Sequence, residues 1–189
     1  MKVEHHNVSD IQKINEWNRL RIDIFKPEQI RILLVGESPP NPKTGKFFYE
    51  GGPLTKHIKK VFECQYDSIQ DLTDSDFLKC FKKLGCYLDD VSLRRVDGMN
   101  DSERNYTVLS EVNDFIDRLM GYRPNAVITI LKRIDFFVKY SVEQAGLDLQ
   151  PDILPFPGYG GVAGFIEGLS DILAREIQRG NLPKEFQSG

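Results

Sequence analysis

Cysteine and histidine are scarce in this sequence, which limits the metal and catalytic centres that it can form. Its 189 residues include three cysteines, at positions 64, 80 and 86, and three histidines, none of them after residue 57. Three cysteines without CxxC spacing do not make a disulfide framework, and they cannot fill a four-cysteine zinc or iron–sulfur site. We therefore predict reduced, packed cysteines, no metal and no cofactor.

Long apolar runs and an excess of basic residues are also missing. No run approaches the roughly 20 residues of a membrane-spanning helix, and the N-terminus lacks the apolar segment of a signal peptide. The net charge is −3 and the pI is about 5.7, whereas a dedicated nucleic-acid-binding protein is usually basic. We expect a cytoplasmic protein without membrane contact, in which any binding of DNA depends on a local basic patch.

The remaining composition, 40% hydrophobic and 28% charged, is that of an ordinary globular protein. Short apolar runs alternate with segments whose apolar residues recur at helical spacing, which predicts a single α/β domain at 1–189. We expect three layers, α/β/α, around a central, mostly parallel sheet of four strands. The expected segments are an N-terminal helix at 9–26, a core at 31–179 with strands at 32–35, 86–93, 126–131 and 152–156, and a frayed tail at 180–189.

The first strand ends abruptly in the loop Gly36-Glu37-Ser38-Pro39-Pro40. Glycine permits close backbone approach, and the paired prolines prevent further strand pairing and an immediate helix. An acid and a hydroxyl are therefore presented at the carboxyl end of a buried strand, where ligands bind in open α/β sheets. The aromatic run Phe47-Phe48-Tyr49 follows soon afterwards, and so much aromatic surface in a loop favours stacking on a ligand.

Two familiar motifs are excluded at this loop. A phosphate-binding P-loop has four residues between its first glycine and Gly-Lys, whereas eight separate Gly36 from Gly45-Lys46, and Phe47 takes the place of Ser or Thr. The G-x-S-x-G elbow of serine hydrolases is broken by Pro40, and the few histidines make a histidine base a poor prospect. The loop therefore indicates neither nucleotide hydrolysis of the P-loop type nor a serine hydrolase.

Three segments together resemble motifs of the uracil-DNA glycosylase superfamily, over about residues 32–173. The loop at 36–40 is similar to the Gly-Glu-Ala-Pro-Gly motif of that superfamily's thermostable branch, and the run at 47–49 is similar to the segment whose phenylalanine stacks on an extruded base. The segment Leu154-Pro155-Phe156-Pro157 stands where the superfamily has a motif such as His-Pro-Ser-Pro. The resemblance implies DNA repair by a hydrolase that flips a damaged or deaminated base of the uracil type and directs water at its sugar carbon.

The resemblance also implies a role for each residue. Glu37 and Ser38 are expected to be catalytic, with Glu37 orienting the attacking water. The expected base-binding residues are Gly36, Phe48, Tyr49 and Asp90. The expected DNA-contacting loop is Pro157, Gly158, Tyr159, Gly160 and Gly161, whose glycine N–H groups can stabilise the departing base. Phosphate contacts are expected from Lys43, Lys46, Arg94 and Arg95.

The acidic pI and a missing histidine favour an alternative, and a further departure from the superfamily motifs concerns the contact with the base. Leu154 replaces the histidine that steadies the charge on the leaving base, and Asp90 stands where the superfamily has an asparagine. An ionised carboxylate accepts a base N–H but cannot donate to a carbonyl oxygen, so uracil would be only half satisfied. The alternative is a non-catalytic member of the same fold that binds a nucleobase, a nucleotide or another small molecule.

Structural roles are open for the same residues. Glu37 can cap a loop or pair with Lys43, the run at 47–49 can fill the core, and the glycines at 158–161 can form a tight turn before a helix.

The acidic pair Asp89-Asp90 has two further interpretations. It can form salt bridges with Arg94 and Arg95, or it can bind a divalent cation together with Glu37, since hard cations prefer clustered carboxylates.

Overall fold

The computed structural model describes residues 8–158 and 160–187, and its centre is a four-stranded sheet with the order β2-β1-β3-β4. Every strand pair in this sheet is parallel. The strands are β1 (Ile32–Gly36), β2 (Cys86–Asp90), β3 (Ala126–Ile130) and β4 (Asp152–Leu154). This arrangement confirms the predicted three-layer α/β/α fold.

Seven α-helices are found among the described residues, and they cover the two faces of the sheet. Helices α2 and α7 pack against each other, as do α5 and α6. Because crossovers between parallel strands are right-handed, the two pairs lie on opposite faces. The helices are α1 (Val8–Leu20), α2 (Pro53–Gln65), α3 (Asp74–Lys83), α4 (Asp101–Ser110), α5 (Val112–Tyr122), α6 (Asp135–Gln144) and α7 (Val162–Gln178).

The order of the strands creates one crevice that loops can line. From β1 the chain crosses to β2 on one side, and it later returns to β3 on the other side of β1. The loops that leave the carboxyl ends of β1 and β3 therefore diverge, and this switch point is where open α/β sheets bind ligands. Residue Glu37 begins the first of these loops, and Leu131 begins the second.

The N-terminal helix and the second strand differ from the prediction. Helix α1 ends at Leu20 and continues as a π-helical segment, Arg21–Phe25, in which Arg21 is fully buried. Strand β2 ends at Asp90 rather than at residue 93, and both of its acids are buried instead of interrupting it. Burial of two adjacent carboxylates requires cationic partners, which Arg21 helps to supply.

Residues 180–187 of the C-terminal tail are packed rather than frayed. The backbone N–H groups of Asn181 and Leu182 donate to the carbonyl oxygen of Glu176, at 2.9 and 3.2 Å, and the Leu182 side chain is buried in the core. Further along, the Tyr66 hydroxyl donates to the carbonyl oxygen of Pro183 at 2.9 Å. The tail thus covers the α2–α7 face of the protein.

The packed tail gives a first prediction. Leu182→Ala should lower the free energy of unfolding by about 2–4 kcal/mol, because it removes a buried leucine side chain and leaves a cavity. Lys184→Ala, on an exposed residue of the same segment, is the matched control and should change it by less than about 0.5 kcal/mol. Urea unfolding measures both; equal, small effects would mean that the tail does not contribute to the core.

Candidate functional site

Glu37 is the centre of the candidate site, at the carboxyl end of β1. Its side chain is 7% exposed and forms a bidentate salt bridge with Arg104. The Arg104 Nε atom donates to Oε1 at 2.8 Å, and Nη2 donates to Oε2. Arg133 approaches from the other side of the crevice, with its Nη1 atom 3.8 Å from Oε1. An acid from the β1 loop therefore meets two arginines at the switch point, one from the start of α4 and one from the helical turn after β3.

Each arginine is positioned by a local feature of its own element. Arg104 lies in the first turn of α4, which a capping box of Asn100 and Glu103 fixes in place. Arg133 follows a turn at Leu131, whose φ of 125° is strained for a residue with a side chain. The Leu131 N–H donates to the carbonyl oxygen of Leu154 at 3.1 Å, which holds this turn against β4.

Charge compensation dominates the electrostatics around Glu37. The hydrogen bonds to Glu37 raise the pKa of Arg104, and the burial of the guanidinium opposes them only partly. Both carboxylate oxygens of Glu37 are engaged by the same fork, the strongest geometry for an arginine–carboxylate pair. The alternative partner Lys43 instead lies 3.1 Å from Asp10, so the expected Glu37–Lys43 pair does not form.

The hydroxyl of Ser38 is used to position a loop. Its Oγ atom accepts the N–H of Val96 at 3.3 Å and lies 3.4 Å from the carbonyl oxygen of Pro39, to which it donates. These contacts connect the loop after β1 to the segment after β2. The catalytic role predicted for Ser38 stays a prediction.

The aromatic run lies inside the protein. The Phe48 side chain is only 4% exposed, with its ring centroid 4.8 Å from Tyr49 and 5.5 Å from Phe81. The Tyr49 hydroxyl donates to the carbonyl oxygen of Leu88 at 3.0 Å and accepts the N–H of Leu88 at 2.8 Å. Phe48 therefore has no free ring face for a base in this structure. The base-stacking role of this run requires the rings to leave their packed positions.

Asp90 is held by Arg21 rather than left to face a ligand. Its Oδ2 atom accepts from Arg21 Nη1 at 2.9 Å, and the same nitrogen is 3.0 Å from Oδ1 of Asp89. A Cβ atom at Gly36 would overlap the Asp90 carboxylate, so glycine is required there for the close approach of these two strands. The packing of β1 against β2 thus explains the glycine at position 36 without a ligand.

Asp89 completes the charge network with two further partners. Arg118 Nε donates to its Oδ2 at 2.9 Å, and the Tyr122 hydroxyl donates to the same oxygen at 3.0 Å. Burial acts to raise the pKa of Asp89, but Arg21 and Arg118 outweigh it and hold that pKa below its usual value. Burial raises the pKa of Asp90 to about 6, against the opposing field of Arg21.

The structure supports neither the expected salt bridges of Asp89 and Asp90 with Arg94 and Arg95 nor a cation site formed with Glu37. The partners are Arg21 and Arg118 rather than Arg94 and Arg95, which pair with Glu111 and Asp97 respectively. Across 8–158 and 160–187, no group of three or more histidine, cysteine, aspartate or glutamate residues is arranged to hold a metal ion.

Some of the backbone N–H groups of the glycine-rich turn after β4 form hydrogen bonds within the turn. The N–H of Gly158 donates to the carbonyl oxygen of Phe156 at 2.8 Å, and that of Gly161 donates to Gly158 at 3.0 Å. Two of the three N–H groups expected to stabilise a departing base are therefore already used. Gly160 has a φ of 90°, which favours glycine, and Pro157 is buried. Tyr159, also predicted to contact DNA, lies outside the described residues.

Four arginines that position the site were missed from the sequence. Glu37 and Arg104 are 67 residues apart, and a local pattern carries no information on such pairs. The sequence held one usable signal for Arg104. It follows Asn100, Asp101 and Glu103 at the start of a predicted helix, where a basic residue stands out. The others, Arg21, Arg118 and Arg133, resemble ordinary solvent-exposed helix or loop residues.

Comparisons with known proteins add no family to this description. No protein-family model matches the chain, and no curated protein matches it in sequence. None of the described helices is long and apolar enough to cross a membrane.

The raised pKa of Asp90 makes stability depend on pH. The folded state holds the Asp90 proton up to about pH 6, whereas the ordinary value is 3.8, so the wild type loses stability as the pH rises through that window. Asp90→Asn cannot titrate. The free energy of unfolding of Asp90→Asn, relative to that of the wild type, should therefore rise between about pH 4 and pH 7 by on the order of 1 kcal/mol or more, since one pKa unit corresponds to about 1.4 kcal/mol. Urea unfolding across this range measures the difference, and a constant difference contradicts the prediction.

Proposed function

We propose that the chain is a uracil-DNA-glycosylase-like protein that binds a nucleobase-bearing ligand, either a nucleotide or an extruded nucleotide of DNA. The binding place is the crevice between the loops after β1 and β3. The observation that carries this proposal is the meeting of Glu37 and Arg133 across the switch point, 3.8 Å apart. The cytoplasmic location predicted from the sequence belongs to the same proposal.

Two exposed aromatic residues at the same edge favour a flat ligand. Phe136, in the first turn of α6, is 72% exposed, and Phe156, two residues beyond β4, is 50% exposed. Phe136 follows Arg133 by three residues, a spacing that places two side chains on neighbouring positions of a helical turn. A base can stack on such a ring while its phosphate contacts the guanidinium. Phe136 can thus supply the stacking surface that Phe48 lacks in its packed position.

Local charge at the crevice is compatible with an anionic ligand despite the net charge of −3. Lys132 and Arg133 are adjacent and exposed, and Arg104 lies on the opposite side of Glu37. A basic patch of this size supports recognition of one or two phosphates rather than tight, non-specific binding along a duplex.

A second candidate function is hydrolysis of the N-glycosidic bond. It is favoured by the position of Glu37, a buried acid directly after β1, where the resemblance places the residue that orients water. In the structure both oxygens of Glu37 are held by Arg104. Hydrolysis therefore requires that this pair open when the substrate binds.

Nucleotide binding is tested by calorimetric titration with uridine 5′-monophosphate and ribose 5-phosphate. If the crevice binds a base, the nucleotide should bind at least about tenfold more tightly than the sugar phosphate. Phe136→Ala should weaken nucleotide binding about tenfold, because stacking of one base is worth roughly 1–3 kcal/mol.

The matched control is Tyr106→Ala. Tyr106 is also exposed, on α4, and it lies about 200° around that helix from Arg104. It should leave the nucleotide affinity unchanged. Equal affinity for the nucleotide and the sugar phosphate would remove the reason to assign a nucleobase to this crevice.

Hydrolysis is tested with single- and double-stranded DNA that contains uracil, hypoxanthine or xanthine. If the chain is a glycosylase, it should release one of these bases, and Glu37→Gln should reduce turnover without lowering DNA affinity. Absence of base release from all three substrates, with nucleotide binding intact, would leave the binding function and exclude the hydrolytic one for these bases.

A further inference from the structure

The contact between Glu37 and Arg104 has the form of an occupied anion site. A guanidinium fork matches a carboxylate and a phosphate with the same pair of parallel hydrogen bonds. The fork of Arg104 is filled here by a carboxylate from the chain itself. Arg133 is a second cation at the same carboxylate, but at 3.8 Å it is beyond hydrogen-bonding distance.

We propose that Arg104 and Arg133 form a phosphate-binding site, and that Glu37 occupies it as an internal anion when no ligand is bound. This inference deepens the proposed function and rests on it. The ligand class that it names is a nucleoside phosphate or a DNA phosphate next to an extruded base, rather than a free base or a nucleoside.

The exposed fraction of the side chain rises from Glu37 to Arg104 and then to Arg133. Glu37 is 7% exposed, Arg104 22% and Arg133 43%. An entering phosphate therefore meets Arg133 first and reaches Arg104 only by competing with Glu37. Among the described residues, Arg133 makes no ion pair other than the long one to Glu37, so its hydrogen-bond donors are available for a ligand.

Displacement of Glu37 has a consequence for the ligand's base. While the Arg104 fork holds both oxygens, about half of the acceptor positions of the Glu37 carboxylate are taken, and the group is oriented toward Arg104 rather than toward a base or a water molecule. Once a phosphate takes its place in the Arg104 fork, the carboxylate is released within the crevice. Phosphate recognition and use of the acid are therefore coupled, and a nucleoside without phosphate leaves the acid engaged.

The coupling predicts an unusual result for Glu37→Gln. Removal of an acid that only accepts a hydrogen bond from the ligand's base would leave the affinity for inorganic phosphate nearly unchanged. Removal of an internal competitor should instead raise the affinity for inorganic phosphate, by about tenfold, because a neutral amide holds the guanidinium less strongly. Arg104→Gln should lower that affinity about tenfold, and Arg104→Lys should restore little of it, since lysine lacks the fork.

The chain offers a matched control on the outer strand β4, two strands away from β1. Arg175 contacts Asp152 with a similar fork, in which Nη1 is 3.1 Å from Oδ1 and Nη2 contacts Oδ2. Asp152→Asn changes the net charge by the same amount as Glu37→Gln. It should not raise phosphate affinity as Glu37→Gln does, because Arg175 keeps a second carboxylate, that of Glu176, 3.0 Å from its Nε atom.

The experiment is calorimetric titration of the folded variants with inorganic phosphate, ribose 5-phosphate, uridine and uridine 5′-monophosphate, with circular dichroism as the check on folding. Higher phosphate affinity of Glu37→Gln alone, with lower affinity of Arg104→Gln and Arg133→Gln, supports the inference. An equal gain in Asp152→Asn overturns it, because the effect is then one of net charge.

The outcomes separate this inference from the proposed function. If phosphate binding follows the expected pattern but the base adds no affinity, the phosphate site stands and the nucleobase function fails. If the nucleotide binds through its base and neither arginine affects it, the nucleobase function stands and the phosphate site fails. Absence of binding by any of the four compounds rejects both.

Discussion

The burial of two adjacent carboxylates at the end of β2 is the constraint on which much of the structure depends. Asp89 and Asp90 are taken out of water, and they remain acceptable there only because Arg21 and Arg118 approach them within 3.0 Å. Arg21 comes from the segment after α1, so the network fixes the N-terminal helix against the sheet. The Asp90 carboxylate also lies against Gly36, and it thereby determines how the loop that carries Glu37 leaves β1.

Glu37 is a second buried carboxylate whose charge is compensated by arginines, but its arginines are more exposed to solvent. The Asp89–Asp90 network is the more deeply buried one: Arg21 and both acids are at most 7% exposed, and Arg118 is 16% exposed. Glu37 is paired with an arginine that is 22% exposed, and a second arginine, 43% exposed, lies beside it. A competing anion reaches the Glu37 pair more easily, and it must replace the lost partner because an uncompensated buried charge is costly. The two clusters therefore differ in accessibility although they consist of the same residue types.

The sequence predicted well which segments are buried, but it did not reveal which arginines pair with the buried acids. The alternation of apolar runs predicted all four strands, since apolar periodicity reports directly on what is removed from water. Strand β2 was drawn too long, and its acids were expected to interrupt it, because no local pattern revealed the cation that neutralises them. Arg21 has the appearance of a polar helix residue, yet it is fully buried. Pairs such as Glu37 and Arg104 depend on the packing of distant elements, which only the folded structure defines.

The aromatic run illustrates why a similar motif does not ensure a similar binding surface. Phe47 stacks on Trp17 at a centroid distance of 5.1 Å, and Tyr49 stacks on Phe25 at 4.8 Å. Both partners belong to the N-terminal helix or its π-helical extension, which the Arg21 network holds in place. The N-terminal segment therefore covers the face that the superfamily motif would present to a base. That side of β1 is closed, which is why the proposed ligand site lies in the crevice toward β3, where Phe136 is the exposed ring nearest in sequence to Arg133.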